Sequence, residues 1–118
     1  MAATGSGDED LTRRERREQY ERILDIVDAN SGGKQRPMAA LTTVRTIAGY
    51  CGIKAKHTNK RLRAGVEQGD LVIVGGRVCL AEVDTLRAAA AYEAEREHPR
   101  PDRLGEINTA LAEVTDDE

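Results

Sequence analysis

Apolar residues in this chain recur at helical spacing except in one place, where they run together. Tyr20, Ile23, Leu24 and Val27 repeat at the three- and four-residue spacing of a single helix face and predict a long first helix from Leu11. Its polar face, RRERREQYER, interleaves Arg and Glu so that i,i+4 ion pairs can run along it. Asn30, Ser31, Gly32 and Gly33 end that helix, and SGGKQRP follows as a flexible basic loop, since Pro37 disfavours helix in the residue before it. In MAALTTVRTIAGYCGI, Leu41, Val44, Ile47, Ala48 and Cys51 mark the core face of a second helix, with Thr42 or Thr43 as its cap. Gly52 stops it and Ile53 is the apolar residue of the turn. Thr58, Leu62 and Val66 predict the inward stripe of a third helix, over about residues 55–68 and ended by Gly69.

The exception is LVIV, a short β-rich run that reverses at Gly75-Gly76 and returns as RVCLAEV, the pattern of a two-stranded hairpin. Asp84 or Thr85 then caps a helix through LRAAAAYEAEREH, broken at Pro99. A last short helix carries Leu104, Ile107, Leu111 and Val114 on one stripe, expected to pack back on the first helix. The fold class is therefore mainly α with a small β-hairpin and additional C-terminal helices.

Composition narrows what this pattern can be. With 118 residues the chain supports one domain-sized core, and with 3% aromatics and no Phe or Trp that core rests on Leu, Ile, Val, Ala and Met. A thin core and surplus apolar helix surface favour a homodimer through the N-terminal helix, the C-terminal helices or both. No apolar run nears the roughly 20 residues of a membrane span, and no signal-peptide pattern opens the chain, so a cytoplasmic protein without membrane partners is expected. Cys51 and Cys79 sit among apolar neighbours, as reduced, buried thiols do. An excess of Arg over Lys with abundant Ala, Gly, Asp and Glu fits either a genome rich in G and C or a salt-adapted cytoplasm. The expected layout is an acidic disordered tail at 1–10, a main domain at 11–83, C-terminal helices at 84–114 and an acidic end at 115–118.

Charge changes the picture most. Net charge is -3, yet residues 11 to 80 carry fourteen bases against seven acids, while residues 81 to 118 carry four bases against eleven acids. No Asp or Glu occurs between Asp28 and Glu67, and GIKAKHTNKRLRAG holds Lys54, Lys56, His57, Lys60, Arg61 and Arg63 without a carboxylate. A surface free of anionic ligands normally mixes both signs, so this run points to an anionic partner.

Helix, helix, tight Gly turn, helix and hairpin, in that order, resemble the winged helix-turn-helix family of DNA-binding domains over residues 13 to 83. TIAGYCGI, NKRL and EQGDLVIVGGRVCL carry the likeness. By that resemblance Ala48 is the small residue where the motif helices cross, Gly52 the turn glycine, Leu62 a recognition-helix core residue and Gly75-Gly76 the wing tip. Lys54 stands where family members often place a Ser or Thr cap. The resemblance implies a double-stranded DNA-binding transcription regulator, by default a repressor acting by occlusion, with the third helix in the major groove. If Thr58, Leu62 and Val66 face inward, then Lys56, His57, Asn59, Lys60 and Arg63 face outward, with His57 and Asn59 as base contacts. Lys54, Lys56, Lys60, Arg61 and Arg63 read guanine or hold phosphate, Arg77 acts at the wing unless it pairs with Glu82, and Lys34, Arg36 and Arg45 approach the same face.

Two other readings stand beside it. One is a winged-helix interaction module whose basic face binds an acidic protein, the chain's own acidic tails included; the other is RNA binding, which lacks exposed aromatics for base stacking. No enzymatic activity, cofactor or metal is expected. Cys51, Cys79, His57 and His98 match no zinc spacing, and Gly75-Gly76 lacks the further glycines and the lysine of a phosphate-binding loop.

Overall fold

A computed structural model describes residues 11–33 and 35–116 of the chain. The acidic tail expected at 1–10, Lys34 and the final two residues lie outside the described residues. The fold is mainly helical with a small three-stranded antiparallel sheet. Among the described residues no helix is long and apolar enough to cross a membrane.

Helix α1, Arg13–Ala29, opens with a capping box. The Glu15 N–H donates to the Thr12 hydroxyl at 3.0 Å and the Thr12 N–H donates to the Glu15 carboxylate at 2.8 Å, two otherwise unpaired helix-end donors satisfied together. The same contacts hold the Glu15 carboxyl below its ordinary pKa, the Thr12 backbone N–H contributing most. The expected i,i+4 pairs form as Arg14–Glu18 and Arg17–Glu21, each at 3.3 Å and exposed. Ile23, Ile26 and Val27 enter the core, and Asn30 caps the C-terminus.

The first departure from the sequence expectation lies at Ala39–Ala40. This pair forms strand β1 and joins the sheet, with Ala39 opposite Val78 and Ala40 opposite Arg77. Helix α2, Leu41–Tyr50, therefore starts where β1 stops, and the Leu41 N–H donates to the Gly76 carbonyl at 3.0 Å. Ala40 is its cap and makes no side-chain hydrogen bond, so Thr42 and Thr43 lie inside the first turn. The sheet sets this boundary.

Helix α3, Ala55–Gln68, ends at Gly69 with φ of +83°, as expected of a glycine stop. Strands β2, Leu71–Val74, and β3, Arg77–Leu80, form the hairpin, and β3 lies between β1 and β2. Both turn residues, Gly75 at +57° and Gly76 at +78°, take the positive φ that a two-residue reversal matching strand twist requires.

Helices α4, Val83–Ala94, and α5, Pro101–Asp116, pack against each other and on the sheet. Helix α4 starts from Glu82 without a side-chain cap, so Asp84 and Thr85 fall in its first turn, and it ends well before Pro99. Pro101 opens α5, where its missing N–H is no loss. The stripe expected to return to α1 instead lies with α4 and β2: Ile107 is buried, and Leu111 and Val114 pack beside it. Helix α5 continues through Asp116, two residues past the boundary expected for the C-terminal helices.

The sheet divides two cores. Leu71, Ile73, Val78 and Leu80 face one formed with Ile23, Val27, Val44, Ala48, Ile53 and Leu62. Val72, Val74 and Cys79 face the other, with Met38, Leu86, Ala89 and Ile107. Burial, with a smaller effect from Glu82, pushes the Cys79 thiol up to about 12. Cys51, expected in the core, is exposed.

Gly65 makes the close approach between α3 and β2. A Cβ there would come within 2.8 Å of Leu71 Cγ, whereas one on Gly105 meets nothing within 4 Å. Gly65→Val is therefore expected to lower unfolding stability by about 1–3 kcal/mol through overpacking. Gly105→Ala is expected to raise it by about 0.5–1 kcal/mol through helix entropy. Urea midpoints at unchanged m-values check both.

Candidate nucleic-acid interface

The α2–α3 junction is built by backbone alone. Gly52 takes φ of +86°, and the Ile53 N–H turns back to the Ala48 carbonyl at 3.0 Å. Ile53 is thereby buried against the helices it separates. Lys54 caps α3 through its backbone only.

The exposed face of α3 is not quite the one the spacing implies. Thr58 and Leu62 are buried as expected, but the stripe is completed by His57, Arg61 and Gly65, while Val66 is 44% exposed. Seating Gly65 against Leu71 turns the helix by a fraction of a turn, bringing positions 57, 61 and 65 inward and carrying 66 out. Two expected contacts change place in consequence. His57, read as an outward base contact, is 5% exposed, and its Nε2 has no hydrogen-bond partner among the described residues. Arg61 is 6% exposed and lines the cleft between α1 and α3 with Arg13, Arg16, Arg17 and Tyr20. That cleft closes at one end where the Tyr20 hydroxyl donates to Asp70 at 2.5 Å, and burial with this carboxylate raises the tyrosine pKa.

The remaining α3 residues keep the expected placement. Lys54, Lys56, Asn59 and Arg63 are exposed and Lys60 is half-buried. Arg45 reaches them from α2: its Nε donates to the Asn59 Oδ1 at 2.9 Å. That bond orients the Asn59 amide and places a guanidinium beside it, so a planar fork and an amide, the groups suited to guanine and adenine edges, share one surface.

Arg36 and Arg77 form a second group. They line a depression at the start of α2 with Asn30 and Thr43. Arg77 stands at the hairpin tip opposite Val74, at the other end of β3 from Glu82, so the cross-hairpin pair considered from sequence is out of reach.

Two arginines escaped the sequence reading. The Arg103 side chain lies against Gly75, in space that a Cβ at that position would fill. Arg96 lines a small cavity with Arg36, Arg77, Tyr92 and Glu93. Both come from the segment with the acidic balance, and the pairing of α4 and α5 with the sheet leaves no periodic trace at these positions. Glu93 anchors this corner. Its carboxylate accepts the Arg100 N–H at 2.9 Å and an Arg96 guanidinium N–H at 3.3 Å, which hold it below the ordinary carboxylate value, the backbone donor contributing most.

Comparison of the chain with protein-family models, curated proteins and solved structures finds no match.

The Glu93 carboxyl has its pKa lowered by folding, so its stabilisation is present above the unfolded value of 4.5 and disappears as pH falls through the folded one. Glu93→Gln is expected to be less stable than the parent at neutral pH, with the difference shrinking to nothing in acid below that range. Urea unfolding across a pH series measures it; a constant difference at every pH would contradict the assignment.

Proposed function

We propose that this chain is a winged helix-turn-helix protein that binds double-stranded DNA and represses transcription by occluding its site. Helix α3 is the recognition helix, α2 braces it across the Gly52 turn, and the Gly75-Gly76 hairpin is the wing. The observation that carries the reading is the outer face of α3: Lys56, Asn59, Lys60 and Arg63 stand together, Arg45 is hydrogen-bonded to Asn59, and no carboxylate occurs in the chain between Asp28 and Glu67. The strand order β1-β3-β2, with β1 directly before α2, supports it further.

Roles follow from chemistry. Asn59, with Arg45 holding its carbonyl oxygen, presents its amide N–H groups to acceptors on base edges. Lys54, Lys56, Lys60 and Arg63 supply guanine contacts and phosphate neutralisation. Arg36, Arg77 and Arg103, around the hairpin tip and the start of α2, hold the flanking backbone. His57 and Arg61 are given no base contact, since both are buried. A homodimer reading a palindrome is part of the proposal, because two-fold protein symmetry matches two-fold operator symmetry.

Selection of bound fragments from random and genomic duplex DNA, followed by sequencing across a salt series, tests the reading. An enriched motif is expected, with log affinity falling linearly with log salt. Lys56→Ala and Arg63→Ala should each flatten that slope by about one unit if they hold phosphate. Asn59→Ala should relax preference at one base position at a loss of about 1–3 kcal/mol. No enrichment at low salt, or binding indifferent to all three substitutions, rejects DNA as the ligand and leaves an acidic protein partner for the basic face.

A further inference from the structure

The outer edge of the sheet is open and has walls. Strand β2 is an edge strand, and a groove of about 660 Å³ runs along it between the end of α3 and the flank of α5. The tight turn makes Val74 and Arg77 a hydrogen-bonded pair, and the Ala81 N–H bond to the Asp70 carbonyl at 3.0 Å shows the same alternation at the other end. The backbone N–H and C=O groups of Leu71 and Ile73 therefore point away from β3 into the groove. LVIV is short, but it has no Lys, no Pro and no bulge to block an added strand.

The two walls differ. On the α3 side stand Gly69 and Val66, the residue turned outward by the seating of Gly65. On the α5 side, Ala110 and Val114 form an apolar strip bordered by Asp102, Glu106 and Glu113. These carboxylates share one helix flank, and among the described residues no cation forms an ion pair with them. This is a surface for a strand whose alternate side chains differ in kind.

We propose that the β2 edge is a docking site for an extended basic segment of a partner protein, which adds to the sheet as a fourth strand. Its apolar side chains lie over Val66, and its Lys or Arg side chains lay their stems along Ala110 and Val114 and their charges on Asp102, Glu106 and Glu113. Charge chooses this occupant over a second copy of the chain. Antiparallel pairing of β2 with its own symmetry mate would put two α5 flanks on one face of the joined sheet, setting acid against acid without a cation between them. The acidic tails are excluded on the same ground. The site is separate from the outer face of α3, so it does not rest on the DNA reading.

Fluorescence anisotropy with the full chain tests this, using a labelled synthetic peptide of about eight residues alternating valine and lysine. Saturable binding is expected. It should weaken by about tenfold or more for three probes: the peptide N-methylated on the amides that face β2, the peptide with glutamate for lysine, and the parent peptide against Glu106→Gln/Glu113→Gln. The two glutamates are on an exposed flank, so that variant should keep the parental thermal unfolding, and the N-methylated peptide requires no change to the protein at all. Equal binding of the N-methylated peptide would reduce the effect to charge attraction and overturn strand addition. Absence of binding up to millimolar peptide overturns the proposal, and so does a dimer in sedimentation equilibrium that Val66→Lys, on the exposed wall of the groove, dissolves without lowering thermal unfolding, since the groove is then filled by a second copy.

Discussion

Burial of both faces of a hairpin of two four-residue strands is the constraint on which the molecule is built. A strand presents successive side chains to opposite faces, so LVIV, apolar at every position, cannot face water on either side without loss. Leu71 and Ile73 belong to the core shared with α1, α2 and α3, while Val72 and Val74 belong to the one shared with α4 and α5. The C-terminal helices are thus not an appendage to a finished domain; they close the second face of its sheet. β3, in the middle, takes both cores, with Val78 and Cys79 fully buried on opposite sides.

From that constraint the basic face acquires its orientation. Leu71 is anchored in the sheet, and α3 can lie close to it only because Gly65 has no side chain. The approach sets the rotation of α3 about its axis, and rotation decides which of the many cations in residues 54–63 meet solvent. Lys54, Lys56 and Arg63 do and Arg61 does not, and of the polar side chains beside them Asn59 is exposed and His57 is buried. The same rotation brings Val66 out to the rim of the β2 groove, so one glycine shapes both surfaces on which function is proposed.

Helix boundaries show how local signals yield to tertiary ones. Thr12 caps α1 through a capping box that is readable in the sequence as Thr12 followed by Glu15. Thr42 and Thr43 have the same chemistry, yet Ala40 is the cap, because the preceding residues pair with β3 and the Leu41 N–H is satisfied by Gly76. The α5 stripe was legible as a stripe, but its partner was not: apolar spacing states that a face is covered, and coverage by α1 or by α4 and β2 leaves the same spacing.

By itself the sequence determined the order of the five helices and the hairpin, the glycine stops at Gly52 and Gly69, the Gly75-Gly76 reversal and the concentration of positive charge between Asp28 and Glu67, because each depends on backbone sterics or composition within a few residues. Only the tertiary structure decided that Ala39–Ala40 is a strand, that His57 and Arg61 are buried, that Arg45 meets Asn59 and that Arg103 covers Gly75. These are contacts between residues distant in the chain, or consequences of a helix rotation smaller than one residue step. A periodicity of 3.6 sampled at whole residues cannot resolve such a rotation, and packing against Leu71 does.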